Sequence, residues 1–94
     1  MKALLTTSTL LFLLVAGCLS SERTVQIAEV PEVVIDAAMA AVPGIEIQEV
    51  SVDSEKGQTV YEIEGVTASS EFEIEISEDG QVLEIEEEER ENEG

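Results

Sequence analysis

Residues 71–76 read EFEIEI, a strict alternation of glutamate with an apolar residue. Successive side chains of a β-strand point to opposite faces of its sheet, so this pattern predicts a strand with one apolar and one acidic face. The same period of two recurs in three other segments, 45–53, 59–66 and 81–86. We therefore predict a four-stranded antiparallel sheet that buries one face and exposes glutamates on the other.

Two turns predict the register of this sheet. Asp79 and Gly80 are typical of a two-residue type I′ hairpin, in which Ile76 would face Leu83. The TASS loop closes the preceding hairpin and would place Phe72 over Gly65, an arrangement that shields a glycine in a sheet. Both apolar pairs would then lie on one face of the sheet.

On the opposite face, the same register predicts two transverse rows of glutamates. One row contains Glu62, Glu75 and Glu84, and the other contains Glu64, Glu73 and Glu86. The apolar positions of the first strand change phase near Gln48 and Glu49, which predicts a β-bulge there. This bulge would bring Glu46 onto the second row.

A helix is predicted before the first strand. Pro31 and Glu32 favour a helix start, and Pro43 with Gly44 would end it. Apolar residues recur between them at helical spacing, and we expect these to face the core: Val34, Ile35, Ala38, Met39 and Val42. The predicted fold class is α+β, with one helix packed on one face of the four-stranded sheet.

The first 18 residues, MKALLTTSTLLFLLVAGC, have the basic start, apolar run and small residues of a secretory leader. Residues 15–18 (VAGC) resemble the lipobox of prokaryotic lipoproteins. The resemblance implies cleavage between Gly17 and Cys18, a lipid on the Cys18 sulfur, and, because Leu19 follows, the outer membrane of a diderm organism. The alternatives are an uncleaved transmembrane helix, which the Thr and Ser residues disfavour, and a secreted protein with an unmodified cysteine.

After cleavage, 77 residues remain, with three basic and 22 acidic side chains and a formal charge of −19. This charge excludes nucleic acid as a partner and leaves basic proteins, cations or simple solvation. The chain has one cysteine and no histidine, which excludes disulfides, Cys/His zinc sites and His-based catalysis.

Three landmarks occur in order along the chain: VPEVVIDAAMAAVPG (30–44), KGQTVYEIEG (56–65) and EFEIEISEDGQVLEIEEEE (71–89). Together they resemble bacterial PepSY-like domains. The resemblance implies a helix on an antiparallel sheet, and its associations with peptidase propeptides and the β-lactamase inhibitory protein imply binding or inhibition outside the cytoplasm. The family offers no shared catalytic residues, and this chain departs from its inhibitory relatives because Tyr61 and Phe72 are both predicted to point to the core.

Four regions follow from these observations. Residues 1–17 are predicted as a lipoprotein signal peptide and 18–29 as the lipidated cysteine and a tether that contains a brief strand at 24–27. Residues 30–88 are predicted as a PepSY-like domain and 89–94 as a disordered acidic tail.

The glutamate rows allow three interpretations. They can form a solvated face that prevents aggregation, bind a divalent cation such as calcium or magnesium weakly, or recognise a basic protein or peptidase. We expect no enzymatic activity and no cofactor beyond such a cation. The predicted function is a lipid-anchored extracytoplasmic binding or accessory module at the envelope, facing the periplasm where one exists. The alternative is an acidic cation-binding surface protein.

Overall fold

The fold is one helix packed on one face of an antiparallel sheet. The computed structural model describes residues 22–90. Its elements are β1 (Arg23–Val25), a 3₁₀ turn (Ile27–Glu29), α1 (Glu32–Ala41), β2 (Glu46–Glu55), β3 (Gln58–Val66), β4 (Ser70–Ser77) and β5 (Val82–Glu89). The strands lie side by side in chain order. The predicted α+β class is confirmed, with five strands in the described part of the chain rather than four.

The additional strand is β1, which lies in the segment predicted as a tether and overlaps, at Thr24 and Val25, the brief strand expected there at 24–27. Its three residues pair antiparallel with β2, with Thr24 opposite Ser51 and Val25 opposite Val50. Val25 is half-buried and packs against the core. The sheet therefore begins at Arg23, and the described residues before α1 are part of the domain.

The core lies between α1 and the sheet. Its buried members are Val30, Val34, Ala38, Val42, Ile45, Val50, Ile63, Ile74 and Ile76. Tyr61 and Phe72 are half-buried and pack against this cluster, on the apolar face predicted for them.

The predicted core position of Met39 is wrong. Val34 and Ala38 are fully buried on α1, whereas the Met39 side chain is 52% exposed. At 100° per residue, Met39 lies about 140° around the helix from Val34. A helix that packs on a single sheet buries only the narrow stripe that faces the sheet, so Met39 remains on the solvent side.

The β4–β5 hairpin has a three-residue loop, 78–80, instead of the predicted type I′ turn. The Gly80 N–H donates to the Ser77 carbonyl (2.9 Å) and the Ser77 N–H donates to the Gln81 carbonyl (2.9 Å). Gly80 has a φ of +93°. Lys56 is the only non-glycine residue with a positive φ among the described residues, so the φ of Asp79 is negative. This geometry is typical of a type I turn followed by a glycine bulge.

The longer loop also changes one predicted pair. Ile76 faces Val82 rather than Leu83, and a second irregularity between Glu75 and Ile76 restores the expected register. Leu83 is the residue displaced by this irregularity, and it is 45% exposed. Because the two one-residue shifts cancel, the predicted register holds for every pair from Glu75–Glu84 to Ser70–Glu89.

Gly65 lies opposite Phe72, as predicted. However, the atoms nearest to the space above Gly65 belong to Ile45 and Glu46, at the start of β2, and not to Phe72. A Cβ atom added to Gly65 would lie 2.7 Å from Cγ1 of Ile45 and 2.7 Å from the carbonyl oxygen of Glu46. Glycine is therefore required here because Ile45, which precedes β2, packs directly on the backbone.

The end of β5 extends beyond the predicted start of the tail. Glu89 belongs to β5, and the Arg90 N–H donates to the Ser69 carbonyl (2.9 Å). The Arg90 guanidinium also donates to the Thr67 carbonyl (2.9 Å), which ties the strand end to the β3–β4 loop. The prediction of a disordered tail from Glu89 is therefore wrong for its first two residues, and 91–94 lie outside the described residues.

The predicted signal peptide and lipidation site, including Gly17 and Cys18, also lie outside the described residues. Within 22–90, no helix is both long enough and apolar enough to span a membrane.

Candidate functional site

The two predicted glutamate rows cross β3, β4 and β5 on the face opposite α1. Glu62 faces Glu75, and Glu75 faces Glu84. In the neighbouring row, Glu64 faces Glu73, and Glu73 faces Glu86. Residues directly opposite each other in an antiparallel sheet project to the same side, so the register brings these six side chains together as predicted. We call them the acidic face.

Glu46 does not belong to the second row. The predicted bulge in β2 is confirmed between Ile47 and Glu49, but it places Glu49 opposite Glu64 and Glu46 opposite Val66. The bulge returns Ile47 to the apolar side, so Glu46 lies on the same face as the row but two residue pairs beyond it. Glu49 instead extends the row and accepts a hydrogen bond from the Thr24 hydroxyl (3.3 Å).

Three carboxylates of the acidic face converge. Glu62, Glu64 and Glu73 each offer one oxygen, and these oxygens all lie within 4.8 Å of one another. Glu62 and Glu73 are half-buried and Glu64 is exposed. Calcium and magnesium prefer oxygen ligands, so three such groups could supply part of a coordination shell and leave the remainder to water.

The electrostatic cost of the arrangement appears on β4. Partial burial raises the pKa of Glu73 above its ordinary 4.5, and repulsion from Glu86, Glu22 and Glu84 raises it further. Partial burial likewise raises the pKa of Glu75, followed by repulsion from Glu84 and other nearby carboxylates. Both shifts mean that the folded domain binds a proton more readily at these positions than an isolated glutamate would.

An open groove of about 670 Å³ continues from the second row towards the β3–β4 loop. Gln48, Val66 and Phe72 line it among glutamates from β3, β4 and β5. At its β5 side, Glu87 accepts a hydrogen bond from the Ser70 hydroxyl (2.8 Å). The groove therefore offers carboxylate acceptors beside some apolar surface, a combination suited to lysine or arginine side chains.

Fold and site together define a small α+β module with an exposed face of carboxylates. A family model, the Peptidase propeptide and YPEB domain (PepSY), matches residues 31–86. Since this match covers more than half of the chain, the protein belongs to the PepSY family, and the resemblance predicted from the three landmarks is confirmed. No curated protein and no solved structure matches the chain.

Proposed function

We propose that this protein is a lipid-anchored, extracytoplasmic PepSY module that binds a basic segment of an envelope protein or peptidase without catalysing a reaction. PepSY domains are propeptide- or inhibitor-like accessory modules and are typically extracytoplasmic, which supports the general class and the compartment. The partner chemistry follows from the acidic face.

The observation that carries the proposal is the opposition of like charges across three strands. Directly opposed glutamates destabilise a sheet, and the pKa values of Glu73 and Glu75 are raised partly because of that repulsion. A basic segment on this face would relieve the repulsion and gain charge-assisted hydrogen bonds. Binding energy would thus come from removing a cost that the free domain carries.

The anchor rests on the leader. β1 begins only five residues after Cys18, a separation of at most about 18 Å even when fully extended, so lipid on Cys18 would hold the sheet near the membrane surface. In a bacterial host, radiolabelled palmitate should label the wild-type chain but not Cys18→Ala, which should leave the membrane fraction. Equal labelling of both proteins would contradict the anchor.

The partner can be tested with two variants of residues 19–94 that lose the same number of charges. The first, E73Q/E75Q/E84Q/E86Q, neutralises the centre of the acidic face. The control, E29Q/E32Q/D36N/E78Q, neutralises exposed acids on α1 and in turns. Each protein is immobilised and presented with the extracytoplasmic fraction of the source organism.

We expect the wild type and the control to capture the same basic protein, and the first variant to lose it. Capture should also weaken as NaCl is raised, because contacts between exposed charges are screened. If the two variants capture the protein equally, the acidic face is not the binding surface. If the captured protein is a peptidase, its activity with and without the domain will show whether binding inhibits it.

A second candidate function is weak divalent-cation binding, favoured by the convergence of Glu62, Glu64 and Glu73. A ligand that binds only the folded state raises the melting temperature. Calcium or magnesium should therefore raise it for the wild type, beyond the effect of NaCl at equal ionic strength, but not for E62Q/E64Q/E73Q. If NaCl raises the melting temperature equally, the effect is screening of the repulsion between glutamates. The basic partner then remains the proposal.

A further inference from the structure

One long edge of the sheet is open within the described residues. The strand order places β1 and β5 at the two edges. β1 has three residues, whereas β5 has eight, and all eight are exposed. Edge strands of this length present a row of backbone donors and acceptors to which another chain can add.

Hydrogen bonds at both ends of β5 identify the groups that face outward. The Arg90 N–H donates to the Ser69 carbonyl, and the Ser77 N–H donates to the Gln81 carbonyl. In an antiparallel pair, alternate residues bond to the neighbouring strand. Counting back from Arg90, the backbones of Glu84, Glu86 and Glu88 bond to β4. The N–H and C=O groups of 85, 87 and 89 therefore point to the open edge.

The side chains along this edge are divided between the two faces. Glu84 and Glu86 belong to the acidic face, and Glu88 follows them with the same period. On the helix side, Val82 is 37% exposed and Ile85 is 45% exposed. A strand added here would meet negative charge at alternate positions on the acidic face. On the helix side it would meet apolar surface at Val82 and Ile85, followed by the carboxylates of Glu87 and Glu89.

We propose that β5 docks an extended, basic segment of the partner protein, which adds to the sheet as an antiparallel sixth strand. The partner places lysine or arginine opposite Glu84, Glu86 and Glu88, and an apolar side chain opposite Ile85. This inference rests on the proposed function, because it assigns a binding mode to the basic partner.

Charge distinguishes this occupant from a second copy of the chain. Five of the eight residues of β5 are glutamates, so pairing two β5 strands would oppose glutamate to glutamate along most of the interface. Like charges directly opposite each other destabilise strand pairing, whereas opposite charges stabilise it. A basic strand therefore fits the edge and a second copy does not.

The test uses the synthetic peptide KVKVKVK and two backbone-methylated forms, measured by calorimetric titration with residues 19–94. One form carries N-methyl groups on its three valines and the other on three of its lysines. In the proposed register, the valine N–H groups pair with β5 and the lysine N–H groups point away. The two forms have the same charge and the same number of methyl groups, so they differ only in which peptide edge is blocked.

We expect the lysine-methylated peptide to bind like KVKVKVK and the valine-methylated peptide to bind at least about tenfold more weakly. The variant E84Q/E86Q/E88Q should also bind KVKVKVK about tenfold more weakly, whereas E29Q/E32Q/D36N should not. Equal affinity for the two methylated peptides, or a selective loss with the lysine-methylated one, would overturn the antiparallel docking mode. Recognition of basic segments would survive that outcome, but failure of KVKVKVK to bind at all would contradict the proposed function as well.

Discussion

Neutralising the centre of the acidic face should stabilise the domain. Glu73 and Glu75 occupy the middle strand of the two rows, and each faces a glutamate on both sides. The double substitution E73Q/E75Q therefore removes four directly opposed pairs while keeping side chains of nearly the same size. The domain folds in spite of these pairs, so their loss should appear as added stability.

The size of the gain follows from the spacing of the sheet. Two charges about 5 Å apart repel by roughly 0.8 kcal/mol in water, so four pairs amount to about 3 kcal/mol without salt. At physiological ionic strength the screening length is about 8 Å, which reduces this figure by roughly half. Exposed side chains can also rotate apart, and we therefore expect a gain of about 1 kcal/mol, or a rise in melting temperature of about 4–8 °C for a domain of this size.

Urea and thermal unfolding of residues 19–94 would measure this gain, with E32Q/D36N on α1 as the control of equal charge loss. The gain should be largest in low salt, shrink in 1 M NaCl and exceed that of the control. A gain that is the same for both variants would show that only net charge matters. A gain unaffected by salt would refute the electrostatic reasoning altogether.

Three further predictions concern packing and pH. Gly65→Ala should lower the free energy of unfolding by about 1–3 kcal/mol in urea titrations, because the added Cβ would lie 2.7 Å from Cγ1 of Ile45. Unchanged stability would mean that Ile45 moves aside at no cost. Met39→Ala should change the free energy of unfolding by less than about 0.5 kcal/mol, whereas Val34→Ala, at a fully buried position, should lower it by about 2 kcal/mol. Comparable losses for the two variants would place Met39 in the core. The raised pKa values of the two central β4 glutamates mean that the folded state binds protons more tightly than the unfolded state, so the penalty is fully present at neutral pH and disappears as pH falls through the raised values towards 4.5. The stability difference between wild type and E73Q/E75Q should therefore shrink over that range in melting experiments, and a difference that grows on acidification would contradict the assigned sign.

The sheet register could be predicted because strand periodicity and turns constrain it together. In the β3–β4 hairpin, the TASS loop and the alternation of isoleucine with glutamate specify the same pairs, and every predicted pair is present, including Gly65 with Phe72. In the β4–β5 hairpin the turn type was wrong, yet Glu75 still faces Glu84. A one-residue slip would have moved Glu84 and Glu86 to the core side and Ile85 to the acidic face, so the polarity of the strand selects the register even when the turn does not.

Other features depend on long-range geometry that the sequence does not display. β1 is only three residues long, and its pairing with Val50 and neighbouring residues joins segments about 27 positions apart. The exposure of Met39 depends on how much of α1 the sheet covers. The convergence of three carboxylate oxygens within 4.8 Å depends on side-chain rotamers and sheet twist, neither of which strand periodicity specifies.

The acidic face is the surface that we assign to the binding of positive charge. Its most direct test is an NMR titration of ¹⁵N-labelled residues 19–94 with KVKVKVK, in which the backbone amide shifts locate the bound peptide. We predict that the shifted amides lie in β4 and β5 and that the same titration of E73Q/E75Q/E84Q/E86Q shows much smaller shifts. Shifts confined to α1, or equal shifts in the variant, would contradict the central claim.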